Sequence, residues 1–426
     1  MPHARKARAL IQMLTLAATL GVLPAQAEDA TLGATVSGLL EFARQQNPEY
    51  AAMRAEEQAL SERIHSAGAL PDPQFQMELR DLTRMGEQNP TLLPGRVGST
   101  RYLLMQDLPW YGKRDLMREV ATSDAAAAKG QRQGTWLELA TRIKIAHVRM
   151  YYVHGSEELA REILDLMRRL ESIAQMRYAG GLAAQQDVIR AQVEQTTMRN
   201  ELIMLERERL NLHAMLNALL ARPAEAPLAT PTQLRRVPAL AQEDKTELER
   251  RVRANNPELF AQQARIRTAE NMRELTYKNR YPDFTIGISP VQYENSIEEW
   301  ELMVGLTLPL QQESRRAQER EAEAMVEAAR WRQLDVANRL LAELADHLAS
   351  IDAAHKTEDL LANSLLPQAE LSFRAALAGY ETGKVDFATL LDAQRQIRQT
   401  KQNQLMAQVE THMRLAEIER LLGEEL

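Results

Sequence analysis

His147 and His154 stand seven residues apart, which puts both imidazoles on one face of a helix. Imidazole nitrogens on one face could ligate a transition metal, but two helical turns separate this pair by about 10 Å along the axis, too far to share one ion. They read as packing or surface histidines. No His-Glu-x-x-His pattern is present. The 18 Met are spread along the chain and suit contacts between helices better than copper ligation. Phosphate chemistry has no better foundation. The stretch TGKVD, residues 382–386, lacks the Ser or Thr after the lysine and the upstream glycine of a phosphate-binding loop. Neither Gly-x-Gly-x-x-Gly nor a nucleophile elbow occurs. The chain is therefore expected to be no enzyme, with no cofactor and no resident metal.

What the chain does carry is a pattern written twice. MRYAGGLAAQQDVIRAQ (176–192) and AGYETGKVDFATLLDAQ (378–394) share a skeleton at a constant offset of 202 residues: Tyr178 with Tyr380, Gly181 with Gly383, Ala191-Gln192 with Ala393-Gln394. Asn-Pro-Glu at 47–49 recurs at 256–258, Leu-Pro-Asp at 70–72 returns as Tyr-Pro-Asp at 281–283, and DLPW at 107–110 as TLPL at 307–310. Several echoes in one order mark an internal duplication. The reading is a first structural repeat over 28–220, a proline-rich linker over 221–245 and a second repeat over 246–426. Pro223, Pro227, Pro231 and Pro238 forbid a continuous helix across the linker. Residues 1–27 have the basic n-region, short apolar core and small-x-small Ala-Gln-Ala site of a signal peptide. A chain with no Cys cannot be anchored by a lipidated cysteine. The formal charge of −7 becomes −10 without the leader's three basic residues, which argues against a nucleic-acid partner.

Each repeat reads as helix, β-hairpin, long helix, glycine turn, helix, with hairpins near 73–109 and 283–309. Phe75, Met77 and Leu79 alternate with Gln74, Gln76 and Glu78; Trp300, Leu302, Val304, Leu306 and Leu308 share a face. RYLLMQDLP is less regular, because Leu103 and Leu104 are both apolar. This period of two fits a half-buried sheet or an outer-membrane strand with lipid on one side and lumen on the other. The helices favour the second reading. Residues 311–378 hold no Gly and one Pro, Pro367, which kinks that helix; the equivalent Asp165 imposes no break. Ala337, Leu341, Leu344, Leu348 and Ile351 step by 4 and 3, a coiled-coil seam. Single helices are expected over 36–68 and 246–280, each associated with its Asn-Pro-Glu. A helix over 311–379 would span about 100 Å, and the returning pairs fit that length. Four strands cannot close a barrel, and open edges do not survive in lipid; three copies would give twelve strands.

On the doubled Tyr-x-x-Gly turn, the doubled Asn-Pro-Glu, the two hairpins and the proline-rich middle, the chain resembles the TolC-like outer membrane efflux protein family over essentially its whole mature length. The fold so implied is mainly α with a small β part: a trimeric 12-stranded outer-membrane β-barrel, four strands per protomer, continuous with a long α-helical coiled-coil barrel. The Pro-Trp-Tyr-Gly-Lys-Arg run at 109–114 resembles the CzcC/CusC-like heavy-metal branch. The resemblance implies the exit duct of a tripartite RND-type pump in the outer membrane of a Gram-negative bacterium, extending into the periplasm. Its partners would be two further copies of itself, a periplasmic adaptor (membrane fusion) protein, an inner-membrane transporter and outer-membrane lipid. Adaptor docking falls on the turns: Tyr178, Ala179, Gly180, Gly181, Leu182, Tyr380, Glu381, Thr382, Gly383, Lys384 and Val385. Relatives narrow the periplasmic mouth with aspartates six and nine residues after the second glycine; here those positions are Thr389 and Asp392, so one acid is missing, and Asp386 and Asp187 lie near. Trp110, Tyr111, Tyr281 and Trp300 are assigned to the membrane-interface aromatic girdle, with Lys113 and Arg114 facing headgroups. The alternatives are a multidrug or type I secretion duct and, in another class, a soluble periplasmic coiled-coil adaptor.

Overall fold

The computed structural model describes residues 32–238 and 245–426. The expected signal peptide (1–27) and residues 239–244 of the linker lie outside them. The elements run α1 (Val36–Gln46), α2 (Pro48–Ala67), β1 (Gln74–Arg80), β2 (Ser99–Leu108), α3 (Lys113–Ala179), α4 (Gln185–Leu219), α5 (Lys245–Asn255), α6 (Pro257–Lys278), β3 (Asp283–Tyr293), β4 (Ser296–Thr307), α7 (Gln312–Leu360), a π-helical turn (Leu361–Leu365), α8 (Leu366–Glu381) and α9 (Phe387–Leu422). The chain divides into two compact units. One takes in residues up to Ala43, Ala146–Arg235 and Ser372–Gln402; the other Arg44–Ile145, Arg236–Leu371 and Asn403–Leu426.

The single helices expected over 36–68 and 246–280 are each two. A residue before proline is pushed out of the helical region, and Asn47 and Asn256 are extended, with ψ of 123° in both. Each asparagine then caps the helix that follows. Asn47 Oδ1 accepts from Tyr50 N at 2.9 Å, and Asn256 Oδ1 from Glu258 N at 2.9 Å. Proline at the first helical position forfeits only a donor that would be unpaired there. So the repeated Asn-Pro-Glu marks a break inside each leading segment.

Within the second unit the strands form one antiparallel sheet in the order β1-β2-β3-β4. Phe75 pairs with Leu104, Leu104 with Ile288 and Ile288 with Leu302, giving an apolar row across all four strands. That row lies on the open side: Phe75, Leu104, Ile288 and Leu302 are all exposed, as are Trp300, Val304 and Leu306. Leu103, the residue that blurred the alternation, is buried on the other face, where a Gly287 Cβ would meet its Cδ1 at 3.0 Å. The same face carries Arg101, whose Nε donates to Ser289 Oγ at 3.0 Å and lies 2.8 Å from Glu301 Oε2.

Among the described residues, each unit has an apolar core that holds its helices. In the first unit Leu159, Ile163, Met167, Leu170 and Ala174 of α3 meet Ala191 and Met198 of α4, Tyr380 of α8, and Phe387, Leu390 and Leu391 of α9. In the second, Leu248 and Val252 of α5 and Leu259 of α6 pack with α7 and with Leu415, Ile418, Leu421 and Leu422 of α9. The seam expected on α7 is met at three of its five positions. Ala337, Leu344 and Ile351 are buried in it as expected, but Leu340 is buried in place of Leu341, and Leu341 and Leu348 sit at its edge. His347 fills the place one residue before Leu348. Its ring meets Arg414 Nη1 at 3.3 Å, and burial holds its pKa below the usual imidazole value. A buried histidine is invisible to a count of apolar spacings.

Candidate functional site

The two glycine turns, both in the first unit, close with the same backbone hydrogen bonds. At the end of α3, Gly180 N donates to Met176 O, Gly181 N to Tyr178 O and Leu182 N to Arg177 O. At the end of α8, Thr382 N donates to Ala378 O, Gly383 N to Tyr380 O and Lys384 N to Gly379 O. Gly181 has φ +68° and Gly383 φ +76°. This is the left-handed C-terminal cap, which a Cβ makes costly. Tyr178, Gly180, Gly181, Leu182, Glu381, Thr382, Gly383 and Lys384 are all exposed on these turns.

The paired tyrosines do not have matching environments. Tyr178 is 47% exposed, whereas Tyr380 is 2% exposed. The Tyr380 ring lies 5.2 Å from that of Phe387, the Arg177 guanidinium lies over it at 4.9 Å, and its hydroxyl donates to Asp187 Oδ2 at 3.3 Å. Burial first, and then the negative Asp187, push that hydroxyl up to about 12. Arg177 also donates to Glu381 O and, at 3.2 Å, to Leu182 O. One arginine therefore fastens the first turn to the second. Nothing in its spacing distinguished it in the sequence; only the fold brings it over Tyr380.

Of the acidic candidates, Asp386 and Thr389 come together as a helix cap. Asp386 Oδ1 accepts from Thr389 N at 2.8 Å and from Thr389 Oγ1 at 2.6 Å. These bonds, with a smaller contribution from Arg190, hold the Asp386 carboxyl below its ordinary pKa. Asp187 is engaged with Tyr380. Asp392 is an exposed carboxylate 3.4 Å from Arg395 Nη1. Arg395 also pairs with Glu194, which is nearly buried. Three further contacts link α4 and α9 or α3 and α4: Glu201 with Arg398 and with Gln402, both at 2.8 Å, and Glu171 with Gln192 at 2.8 Å. These partners, like Arg177, were missed by pattern reading because charged residues are common on every helix face.

The second unit holds the aromatic candidates. Trp110 stacks on Tyr281 at 5.1 Å and 8° and on Phe284 at 5.7 Å. Tyr111, Tyr281 and Trp300 are exposed. Lys113 is engaged inward and Arg114 is half-buried. Lys113 is buried, with Nζ 2.9 Å from Asp283 Oδ1 and 3.0 Å from Oδ2, and Asp283 Oδ1 also accepts from Trp110 N at 2.7 Å. Arg114 Nε donates to Gly68 O at 2.9 Å. The Asp of the repeated Pro-Asp thus anchors the Trp-Tyr-Gly-Lys entry to α3 through Lys113. Among the described residues no cluster of three metal-ligating side chains occurs, and no helix is long and apolar enough to cross a membrane.

Comparison with known proteins fits this geometry. The family described as outer membrane efflux protein matches residues 39–222 and 248–424. The chain is 24% identical over 407 residues to the cobalt-zinc-cadmium resistance protein CzcC of Cupriavidus metallidurans, covering 94% of this chain and 93% of that one. Among solved structures, the outer membrane protein VceC of Vibrio cholerae superposes with a TM-score of 0.79 at 18% identity, covering 92% of this chain and 96% of that one. CusC superposes with a TM-score of 0.78 at 15% identity over 95% and 96%. The outer-membrane channel OprN does so with a TM-score of 0.77 at 19% identity over 91% and 89%.

Proposed function

The chain belongs to the outer membrane efflux protein family, and from that premise we propose that it is the exit duct of a tripartite pump, assembled as a homotrimer and exporting heavy-metal cations. The observation that carries the assembly is the sheet. Its strands turn an apolar face outward, and β1 and β4 are unpaired edges. Unpaired edges beside lipid leave backbone groups without partners at several kcal/mol each, and three such sheets joined edge to edge would close twelve strands. Two repeats flanking the 221–245 linker would supply the wall of the periplasmic tunnel.

In this reading the exposed turn residues around Gly181 and Gly383 receive a periplasmic adaptor, which couples the duct to an inner-membrane transporter of the RND type. Trp110, Tyr111, Tyr281 and Trp300 mark the membrane interface. Asp392, Thr389, Asp386 and Asp187 surround the periplasmic mouth. Asp392 is an exposed carboxylate paired with Arg395, so three copies about one axis would attract cations and repel each other; Arg395 beside it moderates both effects. The duct does no bond chemistry; weak, exposed carboxylates suit transit, since tight ligation would stall it.

The cargo rests on the likeness to CzcC and on the Trp-Tyr-Gly-Lys-Arg entry to α3. Deletion of the gene is expected to lower tolerance to zinc, cobalt or cadmium while leaving tolerance to dyes and antibiotics intact. Lost drug tolerance with unchanged metal tolerance would reassign the cargo. Purified protein in a planar bilayer is expected to conduct ions; a protein that stays in buffer without detergent and never conducts would return the chain to the adaptor class.

A further inference from the structure

Where β4 ends and α7 begins, the second unit has a cavity of about 290 Å³. Its charged lining falls into two parts. The first is closed on itself. Lys113 Nζ donates to both Asp283 oxygens at 2.9 and 3.0 Å and to Tyr281 O at 3.3 Å, so its three donors are spent and its charge is matched.

The second part is Arg315, and its charge is not matched. Its Nη1 donates to the neutral Asn279 O, and its Nε is buried with no partner. Glu319, one turn along α7, is held instead by Arg280 through bonds of 2.6 and 2.7 Å. Among the described residues no carboxylate lies within ion-pair distance of Arg315. A half-buried cation in this position has lost water without gaining a counter-charge. Neutral donors stand around it. Gln311, Ser314 and Gln318 also line the cavity, and Gln311, at the N-cap of α7, makes no side-chain cap bond. The first turn of α7 therefore adds its own preference for a negative group. A guanidinium with one hydroxyl and two amides around it suits a tetrahedral anion with several acceptor oxygens better than a two-oxygen carboxylate.

We propose that this cavity is an anion site that takes a phosphate group, with Arg315 as its cation and Gln311, Ser314 and Gln318 as neutral donors. Two sources carry that chemistry, the phosphodiester of an anionic phospholipid headgroup and free phosphate. The site does not depend on the channel reading. Only the lipid source rests on it, through Tyr281, which lines the cavity and stacks on Trp110 at the assigned membrane interface.

Calorimetric titration of the full-length protein, in uncharged detergent and phosphate-free buffer, tests the site in two arms: inorganic phosphate, and phosphatidylglycerol presented in the same detergent. Saturable binding is expected in at least one arm, and Arg315→Gln is expected to weaken it about tenfold or more. Ser314→Ala should weaken it less. Arg316→Gln, at an exposed neighbour outside the lining, should leave it unchanged. Binding of phosphatidylglycerol alone assigns the headgroup as the source, and binding of inorganic phosphate alone assigns the free ion. No saturable binding in either arm would overturn the site, and so would equal weakening by Arg315→Gln and Arg316→Gln. A protein that binds phosphate through Arg315 yet never conducts in a planar bilayer would overturn the channel reading and leave the site standing.

Discussion

At the scale of single residues, the contact most open to test is the one Tyr380 makes. Its bond to Asp187, at 3.3 Å, is long for a hydroxyl donor. The Arg177 guanidinium over the ring is worth about 0.5–2 kcal/mol and ties both turns besides. Arg177→Ala is therefore expected to loosen the turns more than Tyr380→Phe, read as a larger rise in conductance of the purified channel. A pH effect separates the hydroxyl from the ring. The Tyr380 hydroxyl is raised to about 12 in the folded protein, against about 10 for a free tyrosine. The neutral form is the one the fold favours, so its contribution is complete below about pH 10 and is lost as the pH climbs through 12. Thermal unfolding of the parent should fall more steeply across that window than unfolding of Tyr380→Phe. Parallel curves would mean that the tyrosine titrates as freely in the fold as out of it.

At the scale of elements, the caps at the Asn-Pro breaks decide where helices start. Asn256 combines two roles. It is buried, it caps α6 through Glu258 N and Leu259 N, and its Nδ2 donates to Leu421 O at 2.9 Å. Replacing a cap of this kind by alanine costs about 0.5–2 kcal/mol, and a buried carbonyl left without its donor adds to the loss. Asn256→Ala is expected to lower the denaturation midpoint, and Asn256→Asp, which keeps the cap but not the donor, to lower it less. Equal losses would place the effect in the Leu421 contact alone. The hairpins and the turn glycines were legible because backbone chemistry enforces them: Gly at positive φ and alternation on a pleated strand. Asn-Pro-Glu was legible as a repeat but not as a break, since its fit at a helix start hides its cost to the residue before. The α7 seam was legible at Ala337, Leu344 and Ile351 but off by one at Leu341 and Leu348, where Leu340 and His347 are the buried residues; a core histidine is something only packing identifies. Tyr178 and Tyr380 looked equivalent because their sequence contexts match; Asp187, Phe387 and Arg177 make them different, and those partners come from other elements.

At the scale of the whole molecule, the sheet sets the strongest test. Its two faces carry opposite chemistry: Trp300, Leu302, Val304 and Leu306 outward, Arg101 with Ser289 and Glu301 on the other. Were the protein a soluble adaptor, the outward row would meet water, and a charge there would be neutral or helpful to solubility. In a lipid-facing wall, an arginine near the bilayer midplane costs about 2–4 kcal/mol in each chain, and three copies suffer it together. Leu302→Arg is therefore expected to abolish the detergent-stable trimer on unheated gels and to leave no protein in the outer-membrane fraction. Glu301→Gln, one residue away on the opposite face, should assemble normally, because it changes only the surroundings of Arg101. The adjacent pair controls for strand position, since the two side chains leave the same strand on opposite faces. Assembly of both variants would mean that the apolar face meets no lipid, and the twelve-strand closure would fall with it.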